Sequence, residues 1–217
     1  MKADYEAERI KIFKNRSGEE ISVLLHSCCA PCSTACLERL VADGENEKTN
    51  LKSAVYYYNP NIDEKYEFDR RLNEQKRFLS EVYGEKIPLL YDDYNCDEFY
   101  AAVKGLEKCP EGGERCEKCF KLRLEKTAET AAKNGFEYIS TTLTVSPHKN
   151  SQIINEIGIS AAEKFGVKWL CCDFKKKNGF LRSTVLSQKY GLYRQNYCGC
   201  VYSKIEAEAR EKAKEIK

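Results

Sequence analysis

The sequence has no long hydrophobic run and almost no net charge. No window approaches the ~18 consecutive apolar residues that cross a bilayer. The first twenty residues are charged throughout and contain no apolar stretch like the core of a signal peptide. With 36 Lys and Arg against 34 Asp and Glu, the net charge is +2, which gives no support for tight, sequence-independent nucleic-acid binding, although a local basic patch is compatible with it. These absences predict a cytoplasmic protein without a membrane span.

Cysteine, by contrast, is abundant, with twelve residues in a chain of 217. Disulfide scaffolds are rare in a reducing compartment, so clustered cysteines there indicate metal binding or catalysis. Most of the cysteines fall into four groups along the chain. These groups are Cys28, Cys29, Cys32 and Cys36; Cys116 and Cys119; Cys171 and Cys172; and Cys198 and Cys200.

Short apolar runs alternate with longer amphipathic stretches, which indicates an α/β fold. The strands are predicted at 21–27, 54–58, 87–91, 137–144 and 167–174. The helices between them are predicted to stop at Gly44, Gly84, Gly135 and near Gly166. Strands separated by helices of this length imply βαβ units and a parallel sheet. We predict a single domain over 1–217, with a charged N-terminal segment at 1–20 and an exposed C-terminal helix at 203–217.

Several motifs follow the predicted ends of strands. They are Cys28-Cys29, Asn59-Pro60, Thr142–Ser146 and Cys172-Asp173. Ligands of open parallel sheets bind beyond the carboxyl ends of the strands. The motifs are therefore predicted to converge on one site at that edge of the sheet.

The cysteine spacings suit a metal centre. Cys116 and Cys119 lie at i and i+3 on the first turn of a predicted helix, where the helix dipole favours thiolates. Cys28 and Cys29 lie at a strand-to-loop junction, where both can turn toward one centre. Four such sulfurs suit structural zinc or a 4Fe-4S cluster, and spacing alone leaves both open beside unligated thiols. Cys32 is either a ligand of a second metal or a residue of the following helix.

Cys198-Gly-Cys200 has a different character. Two thiols one residue apart close only a small, strained disulfide, which is easily reduced, so the motif is either a redox-active pair or two unpaired thiols in a turn. His148, before a predicted helix, is a candidate for binding an anion or donating a proton. The remaining singled-out residues are predicted to be core residues. They are His26, Cys36, Cys171 and Cys172.

Taken together, these motifs resemble the QueH-type epoxyqueuosine reductases. The resemblance spans most of the chain in order. The matching segments are LLHSCCAPCS (24–33), YYNPNI (57–62), RCEKCFKLRL (115–124), TTLTVSPHKN (141–150), DFKKKNGF (173–180) and YGLYRQNYCGCVYS (190–203).

The resemblance implies a Rossmann-like parallel sheet with helices on both faces and a cobalamin-independent oxidoreductase. Its expected reaction is the deoxygenation of epoxyqueuosine to queuosine in the wobble position of tRNA, the last step of queuosine biosynthesis. The expected cofactors are a 4Fe-4S cluster and a single iron beside it. The cluster ligands carried over are Cys28, Cys29, Cys116 and Cys119, and the redox-active pair is Cys198 and Cys200. Cys32 is our hypothesis for a ligand of the single iron.

The expected partners are tRNA and an unidentified electron donor. Bases splayed out of single-stranded RNA are usually held by aromatic stacking and arginine. Tyr56–Tyr58, Tyr193 and Tyr197 supply such rings, although each tyrosine is equally compatible with a half-buried sheet or helix position. The candidate substrate contacts are Asn59, His148, Asp173 and Arg194.

Two other functions are weighed against this one. A zinc-supported RNA-binding module would use the four thiolates without redox chemistry, and a thiol–disulfide oxidoreductase would use only Cys198 and Cys200. A nucleotide-dependent sulfur-transfer ATPase is disfavoured, because neither Gly-x-x-x-x-Gly-Lys-[Ser/Thr] nor a Ser-Gly-Gly loop follows the first strand.

Overall fold

A computed structural model of the protein describes residues 4–215. Strands and helices alternate along most of the chain, and short 3-10 helices cover Gly84–Lys86 and Thr142–Val145. In chain order the elements are α1 (Tyr5–Asn15), β1 (Glu20–His26), α2 (Ala30–Asn46), β2 (Asn50–Tyr57), α3 (Lys65–Tyr83), β3 (Leu89–Tyr91), α4 (Asp97–Ala102), α5 (Glu114–Lys133), β4 (Tyr138–Thr141), α6 (Ser151–Phe165), β5 (Lys168–Trp169), α7 (Gly179–Lys189) and α8 (Val201–Glu215).

The five strands form one parallel sheet in the order β3-β2-β1-β4-β5. The central strand β1 is almost continuously apolar, as expected for a strand covered on both faces, and its Leu24 lies opposite Ala54 of β2 and Ile139 of β4. Helices α2 and α3 follow β1 and β2, whereas α5 and α6 precede and follow β4. Right-handed crossovers therefore place these helix pairs on opposite faces, which confirms the predicted fold class.

The order of the strands determines where a site can form. From β1 the chain winds outward through β2 to β3, then returns to the other side of β1 and continues through β4 to β5. The order thus reverses between β1 and β4, and a crevice opens there beyond the carboxyl ends of both strands. The segment after His26 and the segment after Thr141 border this crevice.

The predicted boundaries are wrong for α2 and for strands on both sides of β1. Strand β2 begins at Asn50, four residues earlier than predicted, and β3 begins at Leu89, two residues later. The apolar runs at 137–144 and 167–174 predict longer strands than β4 and β5. The β5 ladder ends early because the Cys172 N–H donates to Asn155 Oδ1 (3.0 Å), so a side chain takes the place of a neighbouring strand. Helix α2 continues two residues beyond Gly44, whereas α3 and α6 end at the glycines predicted to stop them.

The charged N-terminal segment is part of the core. Helix α1 buries Phe13 together with Glu6 and Arg9. The Arg9 guanidinium donates to both oxygens of Glu6 and through Nε to Asp43 Oδ2 of α2 (2.8 Å), and Arg39 Nη1 donates to Glu6 Oε2 (3.0 Å). The sequence predicted only a charged segment at 1–20, because the partners on α2, Asp43 and Arg39, are distant in the chain.

The ion cluster around Glu6 makes stability pH-dependent. Burial raises the pKa of Glu6, but the hydrogen bond and charge of Arg9 and the charge of Arg39 outweigh it and hold the pKa below its ordinary value of 4.5. The carboxylate therefore stabilises the folded state above pH 4.5, and this contribution is lost as the pH falls through the lower folded-state value. We expect Glu6→Gln to lower the free energy of unfolding at neutral pH by about 3 kcal/mol. The reason is that the substitution removes one of the two carboxylates that compensate the buried positive charge of Arg9.

Urea unfolding at neutral pH and below pH 4.5 tests this expectation. The difference between wild type and Glu6→Gln should shrink in acid. The matched control is Glu19→Gln, because Glu19 also pairs with an arginine of this region but is exposed. Equal effects of the two substitutions, or a difference that grows in acid, would contradict the assignment.

The C-terminal helix α8 begins at Val201, two residues earlier than predicted. Its first two turns are anchored by the buried Ser203 and Ala207, and the side chains of residues 208–213 are exposed. Residues 216–217 of the predicted helix lie outside the described residues. Among residues 4–215, no helix has the combination of length and hydrophobicity that spanning a membrane requires.

Candidate functional site

Three cysteines converge at the end of β1, next to the reversal in strand order. The sulfurs of Cys28, Cys29 and Cys32, called here the cysteine triad, all lie within 4.8 Å of one another. Cys28 and Cys29 occupy the turn between β1 and α2, and Pro31 in the first turn of α2 brings Cys32 back toward them. Cys32 belongs to helix α2 and also to a group of sulfurs that could hold a metal ion, so its role as a metal ligand stays a prediction.

Neighbouring strands hold this turn in place. The Cys28 N–H donates to Thr142 Oγ1 (3.3 Å), just after β4, and the Asn59 side-chain amide donates to the Ser27 carbonyl (2.9 Å), just after β2. The Ser27 hydroxyl in turn contacts Gln75 Oε1 of α3 (2.8 Å). Residues from the ends of three strands and from α3 therefore orient the triad.

The triad stabilises a negative charge on one of its sulfurs. Hydrogen bonds from the Cys29 and Cys32 thiols, reinforced by the charges of Arg123 and Lys149, lower the pKa of Cys28 well below its ordinary value. The hydrogen bond with Cys28 raises the pKa of Cys29 to about 12, and that of Cys32 rises for the same reason. A thiolate among thiol donors is the form that binds a metal.

Four other cysteines surround a small cavity of about 30 Å³ nearby. The α5 pair, Cys116 and Cys119, lines it together with Cys198 and Cys200, called the 198/200 pair. The Gly112 N–H donates to Cys116 Sγ (3.2 Å). Burial raises the pKa values of Cys116 and Cys200, and that of Cys119 to about 12. Cys116, Cys119 and Cys200 are therefore neutral thiols that a bound metal would deprotonate.

The small cavity adjoins a much larger one of about 680 Å³ over the triad. Cys198, His148 and Lys149 line both cavities. Burial lowers the pKa of Lys149, but the charges of Cys198, Cys28 and Cys32 raise it overall, so its ammonium group remains charged beside the sulfurs. The larger cavity falls within the roughly 300–1,000 Å³ range of small-molecule sites.

A buried arginine on α5 interacts electrostatically with the triad. Arg123 is 0% exposed, and it donates through Nε to His26 Nε2 (3.3 Å) and through Nη2 to Asn59 Oδ1 (2.5 Å). Burial lowers its pKa, but the charges of Cys119, Cys198 and Cys28 raise it overall. Among residues 4–215, its Nη1 has no hydrogen-bond partner and no carboxylate forms an ion pair with it.

A second buried arginine, Arg71 of α3, holds the loop of the 198/200 pair. Its Nε donates to Glu67 Oε1 (2.6 Å) and its Nη1 to the Cys198 carbonyl (3.0 Å), while its Nη2 has no hydrogen-bond partner among the described residues. Gly199 is required in this loop, because its φ is +125° and a Cβ atom there would lie 2.9 Å from Ile62 and 3.1 Å from Arg71 Nη1.

The structure separates the predicted substrate contacts. Arg194 and His148 are exposed and line the larger cavity. Asn59 is buried, and its amide groups bind Ser27 and Arg123 instead of facing the cavity. Asp173 is also buried, with its carboxylate 3.0 Å from Lys175 Nζ. Neither Asn59 nor Asp173 lines one of the two cavities, so a direct contact of either residue with the substrate stays a prediction.

The first three tyrosines considered for stacking on RNA are instead buried at the end of β2. Tyr56–Tyr58 are buried, and the hydroxyl of Tyr57 donates to the Phe68 carbonyl. Tyr193 packs under the Arg70 guanidinium, whereas Tyr197 lines the larger cavity. The sequence left both roles open, because three consecutive aromatic residues suit RNA stacking and a covered strand equally well.

Among the predicted core residues, His26, Cys36 and Cys172 are buried as expected, whereas Cys171 is half-buried. Sequence reasoning missed Arg71, Arg123, Lys149 and Phe180 as parts of the site. Only Arg123 carries a usable signal, because it follows Cys119 by one helical turn on the same face of α5.

Comparisons with known proteins agree on one description. A family model described as "Epoxyqueuosine reductase QueH" matches residues 23–206. A Streptococcus pyogenes protein named "Epoxyqueuosine reductase QueH" is 45% identical over 185 residues, covering 84% of this chain and 70% of the relative. A Thermotoga maritima protein of the same name is 38% identical over 198 residues, covering 90% of this chain and 95% of the relative.

A solved structure shares the fold at low sequence identity. It is the U34-tRNA thiolase NcsA from Methanococcus maripaludis with its 4Fe-4S cluster, and it aligns with a TM-score of 0.51 and 14% identity. The alignment covers 97% of this chain and 74% of that chain. The similarity extends over the whole sheet and its helices, and it supports the fold assignment alone.

Proposed function

The chain belongs to the QueH family of epoxyqueuosine reductases, and we propose that it reduces epoxyqueuosine to queuosine in the wobble position of tRNA without cobalamin. The observation that carries the proposal is the convergence of seven cysteines on two adjoining cavities at the carboxyl edge of the sheet. A tRNA substrate also places the proposed reaction in the cytoplasm.

The buried arginines support an anionic metal centre at this site. Arg71 and Arg123 are both buried, and each keeps one guanidinium nitrogen without a hydrogen-bond partner among residues 4–215. Arg71 is already paired with Glu67, whereas no carboxylate of the described residues pairs with Arg123. A buried charge is costly unless an opposite charge compensates it. An iron–sulfur cluster on four thiolates carries net negative charge, so the donors and the charge of this site fit such a group.

The proposed ligands of the 4Fe-4S cluster are Cys28, Cys29, Cys116 and Cys119, and Cys32 is the proposed ligand of an adjacent single iron. When bound, such a centre supplies single electrons and a Lewis acid for the epoxide oxygen. The chain contributes the anionic form of Cys28 and the positive charges of Arg123 and Lys149 around it.

The 198/200 pair completes the electron count. Conversion of an epoxide to an alkene and water consumes two electrons and two protons, and oxidation of two thiols to one disulfide releases both. Cys198 lines the larger cavity, where the substrate would bind, and Arg71 holds its carbonyl. An external electron donor, still to be identified, would then reduce the disulfide. His148, which lines both cavities, is the proposed group for binding the substrate or supplying a proton.

The test is reaction of the anaerobically purified, reduced and iron-loaded protein with tRNA containing epoxyqueuosine, followed by mass analysis of the nucleosides. We expect queuosine to form with loss of one oxygen atom. A protein that contains zinc without acid-labile sulfide, or an iron-loaded protein that forms no queuosine, would contradict the proposal. Disulfide turnover that survives Cys116→Ala, without queuosine formation, would instead favour a thiol–disulfide oxidoreductase.

A further inference from the structure

We propose that residues 173–194, called the basic segment, form the docking surface for the single-stranded RNA around the modified nucleotide, with Phe180 and Arg194 as a stacking platform for a neighbouring base. This inference rests on the proposed function, and it names the surface on which the RNA lies. Phe180 is 39% exposed, and both residues line the larger cavity that also exposes the cysteine triad.

The charge of the chain is strongly uneven. The basic segment contains six basic residues and one acidic residue, a net charge of +5, whereas the rest of the chain carries −3. The near-neutral total therefore conceals a local basic surface. Among residues 4–215, Lys177 and Lys189 are exposed and form no ion pair, which leaves both free to contact phosphates.

The platform combines an aromatic face with a guanidinium. The Arg194 guanidinium carbon lies 5.2 Å from the centre of the Phe180 ring, and both side chains border the cavity over the triad. Unpaired bases stack on aromatic rings and on arginine planes, and such stacking tolerates any base because every base has a π face. A large aromatic side chain left exposed at the edge of a cavity is the arrangement that this contact requires.

The backbone before Phe180 is built to hold it there. Lys177 and Asn178 both have left-handed conformations, with φ of 51° and 60°, which cost non-glycine residues on the order of 1 kcal/mol each. Gly179 is required next, because a Cβ atom there would lie 1.7 Å from the Phe174 carbonyl oxygen. This tight turn starts α7 at Gly179 and leaves the next residue, Phe180, at the cavity wall.

An acidic redox protein is the competing occupant of a basic surface. RNA is favoured because the platform borders the cavity through which the modified base must reach the cysteines, and because an aromatic face beside arginine suits a base. The platform thus stacks with a base next to the modified nucleotide, and the free lysines contact the flanking phosphates.

The experiment measures binding of two probes to the full-length, metal-loaded protein. One is an anticodon stem–loop RNA with guanine in the wobble position, and the other is an RNA duplex with the same number of phosphates. We expect Phe180→Ala to weaken stem–loop binding about tenfold or more, because stacking contributes ~1–3 kcal/mol per base, and to leave duplex binding unchanged. Phe180→Tyr should bind like wild type, because it keeps the ring.

Substitution of the free lysines should affect binding of both probes, unlike Phe180→Ala. The double variant Lys177→Gln/Lys189→Gln should weaken binding of both probes and reduce the slope of log affinity against log salt by about 1.4 for the stem–loop. Controls are Tyr66→Ala, an exposed aromatic on α3 (72%), and Lys133→Gln at the far end of α5. Both controls should bind as wild type does.

Unchanged stem–loop binding by Phe180→Ala overturns the inference. Unchanged RNA binding with a raised KM for an acidic electron donor also overturns it, in favour of a protein-docking surface. The binding measurement needs no turnover. Failure of the wild type to form queuosine therefore counts against the proposed function alone and is distinguishable from failure of this inference.

Discussion

Replacement of Cys119 by serine is expected to abolish epoxyqueuosine reduction and to release the iron and sulfide bound to the protein. Cys119 is buried in α5 beside Cys116, and serine preserves its size while removing the sulfur that a metal requires. We expect turnover to fall at least about a thousandfold, which corresponds to ~4 kcal/mol of transition-state stabilisation. Iron and acid-labile sulfide contents, measured on anaerobically purified protein, report the cluster independently of activity.

Two further variants make this result specific. Cys96→Ser is the matched control, because this half-buried cysteine lines neither cavity, and it should keep both cluster and activity. Cys32→Ser should retain the 4Fe-4S cluster but lose one iron per chain. If Cys119→Ser kept its sulfide while Cys32→Ser lost it, the cluster would instead rest on the three sulfurs that lie within 4.8 Å in the triad.

Replacement of Arg123 by methionine is expected to shift the reduction potential of the cluster to more negative values. Arg123 is fully buried, has no carboxylate partner among residues 4–215, and interacts electrostatically with Cys119, Cys198 and Cys28. Loss of a fixed positive charge makes addition of an electron less favourable. At an effective dielectric constant near 20 the change is on the order of 2 kcal/mol, or about 90 mV for one electron.

An anaerobic redox titration followed by electron paramagnetic resonance measures this shift. Arg123→Lys retains the charge and should keep the potential near that of wild type. Arg9→Met removes an equally buried arginine whose charge is already compensated by Glu6 and Asp43. It should reduce stability without moving the potential. An unchanged potential in Arg123→Met, with only a lower melting temperature, would contradict the prediction. Arg123 would then act only structurally, through its hydrogen bonds to His26 and Asn59.

Much of the fold was predictable from local patterns. A covered strand such as β1 needs an almost continuous apolar run, and the helices need amphipathic stretches ended by residues such as Gly166, which adopts a left-handed conformation. The predicted ends of strands were wrong where a side chain replaces the backbone hydrogen-bond partner, as Asn155 does for the Cys172 N–H. The role of α1 was not predictable, because the partners of Arg9 and Glu6 on α2 are distant in the chain.

The sequence by itself determined the family of this protein, because its cysteine motifs and the segments around them match one family model over residues 23–206. It also determined that the segments after β1 and β4 meet, because parallel strands end at one edge of the sheet. Only the tertiary structure decided which groups stand around them. Arg71, Arg123, Lys149 and Phe180 come from four different segments. Apart from the spacing of Arg123 from Cys119 on α5, nothing local distinguishes a buried arginine or an exposed ring at this site from an ordinary surface arginine or core phenylalanine. Burial, exposure and the presence or absence of a partner are properties of the packed chain, and they decide how each of these residues contributes to the site.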